Sequence, residues 1–119
     1  FYLEKLLKDE FPNIDIGVVN SKSENNEYVK NNSRIIISTI RSLGVGADIR
    51  KLRNLIIAEP HSSKIISNQL IGRLREYSPT EDTYVYELVD SGFPQLGRMI
   101  THRYSEITRK CKTVKYCRL

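Results

Sequence analysis

Two short apolar runs, Ile35-Ile36-Ile37 and Leu55-Ile56-Ile57, constrain the fold of this chain more than any other feature. Uninterrupted runs of branched aliphatic residues suit strands buried on both faces, as in a parallel sheet. Parallel neighbours cannot be joined by a tight turn and need a crossover segment, usually a helix. The sequence supplies such segments between its strand-like runs. Phe1 to Glu10 has Leu3, Leu6 and Leu7 at helical spacing, closed by Pro12 and Asn13. Ile14 to Val19 reads as a strand, and Glu24 to Lys30 as a short helix. Arg34–Thr39 and Leu52–Ala58 are the two apolar strands. Ser62 or Ser63 caps a predicted helix that runs to about Arg75, with Ile65, Ile66, Leu70 and Leu74 pointing inward. Pro79 breaks the chain before a fourth strand, Thr83–Val89, and a closing helix runs from Phe93 to about Lys110.

This alternation predicts an α/β fold: a parallel sheet with helices on both faces. With 119 residues the expectation is one domain, a core over residues 1–92 followed by the closing helix and tail of 93–119. A helix precedes the first strand, the chain starts at Phe1, and its single methionine is Met99. The expectation is therefore a partial domain whose first strand lies upstream. No apolar run approaches membrane-spanning length and no signal-like start is present, so no membrane partner and a cytoplasmic setting are expected.

Charge is unevenly distributed. Acidic and basic residues cancel over residues 1–100, whereas residues 101–119 carry Arg103, Arg109, Lys110, Lys112, Lys115 and Arg118 against Glu106 alone, which accounts for the whole excess of +5. Such a segment either suits a phosphate backbone through counterion release or is a solvated tail. Cys111 and Cys117 lie in it, and reduced thiols are expected. No Ser-His-Asp set, zinc-type spacing or paired-carboxylate signature is present, and no metal ligands are assigned. His61 reads as a loop histidine, and His102 as a residue of the closing helix without partners.

In parallel α/β sheets ligands sit beyond the carboxyl ends of the strands. That rule gathers Ser38 and Thr39 with the turn Gly44-Val45-Gly46-Ala47-Asp48-Ile49, and with Gln69-Leu70-Ile71-Gly72-Arg73-Leu74-Arg75, along one edge. The Gln69-x-x-Gly72-Arg73 step resembles the sixth signature motif of superfamily 2 helicases, and Ser38-Thr39 through Asp48-Ile49 resembles their fifth. The flavour is that of the phage and viral DNA-helicase branch, and the resemblance spans roughly Ile14 to Val89.

The resemblance implies a RecA-like second motor domain of the phosphate-loop NTPase type. It implies that Arg73 is an arginine finger reaching ATP and Mg2+ held mainly by an N-terminal RecA-like domain of the same polypeptide. A guanidinium suits this role because charge spreads over the γ-phosphate oxygens during hydrolysis and arginine pairs with them bidentately. Gln69, Gly46 and Asp48 are implied on the nucleotide side. Ser38, Thr39, Arg50 and Lys51 are implied contacts to nucleic acid, DNA being favoured over RNA. Where the family carries a second arginine this chain has Glu76; Arg75 takes that role if the helix ends there, and otherwise points about 100° away.

Each residue also has a purely structural reading. Arg73 could pair with Glu76 or Glu59, Asp48 could close a turn, Thr39 could be a strand-end hydroxyl, and Arg50 and Lys51 could lie in a solvated loop. The chain lacks the Gly-x-x-x-x-Gly-Lys-Ser/Thr loop and an acidic magnesium box, so by itself it is expected to hold no ATP or Mg2+ and to hydrolyse none. The alternatives are a non-catalytic basic α/β nucleic-acid-binding domain and a regulatory one.

Overall fold

A computed structural model describes residues 2–44, 49, 52–75, 81–90 and 92–118, which divide into two compact units, 1–51 and 52–119. The architecture is mixed α/β, and in each unit a helix crosses between two parallel strands.

The first unit opens with α1 (Tyr2–Glu10), which ends as the Phe11 N–H donates to the Leu7 carbonyl, just before Pro12. β1 (Ile16–Val19) follows, then α2 (Asn26–Asn32) and β2 (Ile35–Ser38). β1 and β2 pair in parallel from Ile16↔Ile35 to Val19↔Ser38. Ile16 and Val19 are buried, and both α1 and α2 pack on β1. Gly17 permits the approach of α2: a Cβ there would lie 2.5 Å from Val29 Cγ1 and 2.6 Å from Ser33 Oγ. An amide clasp joins the end of β1 to the start of α2. Asn26 Nδ2 donates to the Asn20 carbonyl at 2.6 Å, and the Asn20 N–H donates to Asn26 Oδ1 at 3.2 Å.

The last helix of this unit, α3 (Ile40–Gly44), is not anticipated by the apolar pattern. It exists because Thr39 caps it. The Ser42 N–H donates to Thr39 Oγ1 at 3.2 Å, which satisfies one of the donors a helix start leaves orphaned.

The second unit comprises β3 (Asn54–Ile57), α4 (Lys64–Arg75), β4 (Tyr84–Glu87) and α5 (Pro94–Lys110). β3 and β4 pair in parallel from Asn54↔Tyr84 to Ile57↔Glu87. Tyr84 N–H to the Arg53 carbonyl and Leu88 N–H to the Ile57 carbonyl extend the ladder by one rung at each end. Leu55 and Ile57 are buried on the face that meets α4.

Ile56, on the other face, is 65% exposed and has the exposed Tyr84 and Tyr86 for company, so the expectation of burial on both faces fails here. Strand residues alternate sides, and within the described residues only one side of this pair is covered.

Ser63 is the cap of α4, accepting from the Ile66 N–H at 3.2 Å. The buried stripe of α4 is Ser67, Leu70, Ile71 and Leu74, a run of i, i+3, i+4, i+7. Leu70 and Leu74 point inward as expected, each contributing roughly 1.5–3 kcal/mol. Ile65, expected inward, is 70% exposed, because it lies on the opposite side of the helix from that stripe.

α5 begins with Pro94, whose fixed φ suits a first helical turn, and packs along α4. Its buried residue is Arg103 rather than one of the apolar positions. Among the described residues no helix is long and apolar enough to cross a membrane.

Candidate functional site

The outward face of α4 carries the predicted nucleotide-side residues. Gln69 is exposed and Arg73 half-buried. They lie four residues apart, so their side chains share one face of the helix. That face points away from the Ser67–Leu74 stripe. Arg73 makes no hydrogen bond or ion pair with any described residue, so the expected alternative of a pair with Glu59 does not form. A Cβ placed on Gly72 meets no atom of the described residues within 4 Å, so none of them requires glycine there. Arg75 closes α4; its side chain lies outside the described residues, as does Glu76.

In the first unit Ser38 ends β2 half-buried and Thr39 is exposed beyond it. Both hydroxyls have local partners. Ser38 Oγ donates to the Thr39 carbonyl at 3.1 Å, and Thr39 Oγ1 lies 3.0 Å from Ser42 Oγ while accepting from the Ser42 N–H. Thr39 thus acts as a helix cap, and any phosphate contact it makes must share that hydroxyl. Gly46, Asp48, Arg50 and Lys51 lie outside the described residues.

A second constellation escaped the sequence reading. Arg103, counted there with the basic tail, is 4% exposed. Its Nη1 donates to Glu87 Oε1 and its Nε to the His61 carbonyl at 2.5 Å. His61, expected as a loop histidine without partners, is buried instead. Its Nδ1 lies 3.4 Å from the Glu59 carbonyl, which can only accept, so Nδ1 carries the proton and Nε2 accepts from the Ser67 hydroxyl at 3.2 Å. Burial, and then the Arg103 guanidinium beside it, hold the His61 imidazole below the usual histidine range.

Farther along the seam Asn68 Nδ2 donates to Glu106 Oε2 at 3.0 Å, and Arg109 donates to the same oxygen at 2.7 Å. Arg109 chiefly, with Asn68, holds the Glu106 carboxyl below the usual range. Asn68 Oδ1 is buried with no partner among the described residues.

This seam runs from the end of β3 to α4, β4 and α5, and it is structural in kind. Its ions neutralise one another, and Ser67, whose hydroxyl donates to the His61 imidazole, is 1% exposed and so closed to a substrate. Among the described residues no group of three His, Cys, Asp or Glu side chains could hold a metal ion. One signal could have found it: Glu87, an acid at the end of a strand, needs a cation if its neighbours are buried.

The outer side of α4 offers a ligand an amide and a guanidinium one turn apart, the guanidinium without a partner among the described residues. No protein-family model, curated protein or solved structure matches this chain.

Proposed function

We propose that this chain is part of the second, RecA-like motor domain of an ATP-dependent DNA helicase or translocase, and that Arg73 is its arginine finger. The observation that carries this reading is the Arg73 guanidinium, without a partner among the described residues, on the outward face of α4, one turn from Gln69, within a parallel-strand α/β unit. A helix that invests an arginine, a glutamine and a glycine on an uncovered face suits an approaching partner surface. The open space around Gly72 supports the same reading.

The donor set fits a triphosphate held by another domain. Arg73 supplies a permanent positive fork for the γ-phosphate oxygens, and Gln69 supplies an amide that can donate or accept. ATP with Mg2+ supplies the free energy of hydrolysis, and the remaining phosphate ligands and the metal ligands come from the preceding domain. In this reading a single parallel sheet with helices on both faces organises the domain. Ser38, Thr39, Arg50 and Lys51 face the nucleic acid, while Gly46, Asp48 and Gln69 face the nucleotide. Closure of the two domains on ATP and DNA, followed by opening after hydrolysis, would then shift the grip along one strand.

Arg73→Ala in the intact protein tests this. DNA-stimulated ATP hydrolysis should fall by about 10³-fold or more, the usual worth of an arginine finger, while DNA binding without ATP is retained. Unchanged hydrolysis in that variant removes the motor reading and leaves a non-catalytic binding or regulatory domain.

A further inference from the structure

α5 ends in a different kind of surface. Past Lys110 the chain runs as an irregular tail, exposed from Lys112 on, and it folds back far enough to stack Tyr116 on Tyr104 of α5. The ring centroids are 6.3 Å apart with 23° between the planes. Tyr116 is nevertheless 73% exposed, so its other side remains open. Lys110, Lys112 and Lys115 lie between the two tyrosines in sequence and Arg118 just beyond them, and none of the four forms an ion pair with a described residue. Arg103 and Arg109, by contrast, are engaged by Glu87 and Glu106. Glu106 is also the sole acidic side chain of residues 101–119, so no other acidic side chain of that segment competes for the four remaining cations.

We propose that the Tyr104–Tyr116 stack and the cations around it form a binding surface for single-stranded nucleic acid. An exposed aromatic ring already held flat by a second ring is a stacking platform for an unpaired base, since every base has a π face. The flanking cations track the phosphates and release counterions as they bind. A duplex keeps its bases stacked inside and offers none to the platform. An anionic membrane would satisfy the cations, but Val114, Tyr116 and Leu119, spread among the charges of the tail, give it no broad apolar face of the kind that an interfacial helix buries.

This surface uses neither Arg73 nor ATP, and so stands apart from the motor reading. The hydroxyl of Tyr104 holds the Tyr116 phenol above its usual range.

The test is fluorescence anisotropy of the full chain titrated, without ATP, into labelled oligo(dT) of about 15 nucleotides. Tyr116→Ala should weaken binding about tenfold, whereas Tyr116→Phe stays within about twofold of the unaltered chain. Replacing Lys112, Lys115 and Arg118 together by Ala should flatten the slope of log affinity against log salt by about 2. The unaltered chain should bind an abasic strand of equal length about tenfold more weakly than oligo(dT). Equal affinity for the two strands overturns the proposal whether or not a variant folds. Undiminished binding by Tyr116→Ala overturns it too, as does tighter binding to phosphatidylserine vesicles than to oligo(dT). Because no hydrolysis is measured, failure here is distinct from failure of the Arg73 assay.

Discussion

The two units repeat one plan, strand, crossover helix and parallel strand, yet they are fastened by opposite means. In the first unit shape does the fastening: α2 meets β1 across Gly17, and the Asn20–Asn26 clasp closes the corner between them. In the second, charge does it: Arg103 reaches from α5 to Glu87 at the end of β4 and to the loop that carries His61, which in turn holds Ser67 of α4. The contrast teaches how to read arginines in such a fold. Arg103 is surrounded by acceptors and is part of the framework, whereas Arg73 has none among the described residues and is available to something outside.

The predictions sharpen or break that contrast. Largest is the loss of ATP hydrolysis in Arg73→Ala, which should leave the unfolding free energy within about 0.5 kcal/mol of the original, as for a surface change. A clear fall in stability would instead enrol Arg73 in the framework. Next is Arg103→Ala, which strands a buried Glu87 carboxylate and should destabilise by about 3–5 kcal/mol in urea titration. A change below about 1 kcal/mol would mean that the seam is not buried in solution.

The glycines offer a paired measurement. Gly17→Ala forces a Cβ into Val29 and Ser33 and should cost about 1–3 kcal/mol. Gly72→Ala enters open space within a helix and should stabilise by up to about 1 kcal/mol while slowing ATP hydrolysis in the intact protein. If both substitutions destabilise equally, the uncovered face of α4 is not uncovered.

The smallest effect is one of pH. His61 is held neutral in the fold, so the unfolded chain binds the extra proton as acidity rises. Its contribution is complete above the ordinary histidine value of about 6.5 and is lost as pH falls from there through the lowered folded value. His61→Asn should flatten the fall in stability over that window, and an unchanged profile would assign the acid sensitivity to other groups.

Much of the secondary structure was legible from residue pattern. The expected strands at Ile14–Val19, Arg34–Thr39, Leu52–Ala58 and Thr83–Val89 enclose β1 to β4, and the helix ending near Arg75 is α4. Local chemistry sets these elements: branched aliphatic runs, a serine cap, a proline at a helix start. What the pattern hid was pairing at a distance. Arg103 and Glu87 lie sixteen positions apart and His61 and Arg103 forty-two; an acid at the end of a strand asks for a cation, but nothing in its neighbours says which one. Counting Arg103 as tail charge followed from reading net charge by position. α3 escaped for a different reason, because a single capping hydroxyl rather than an apolar stripe starts it. The face that Gln69 and Arg73 occupy was less legible, since the expected inward stripe included Ile65, which shares that face one turn before Gln69 and is 70% exposed.

Burial of Arg103 also fixes where this molecule can be cut. A shortened version that stops before α5 would leave Glu87 without its counter-ion and His61 without its neighbour, so the last helix is a keystone of the second unit rather than an appendage to residues 1–92. A protease should be able to trim the segment beyond Arg109 and leave a folded body. Trimming ten residues deeper should bring down the second unit.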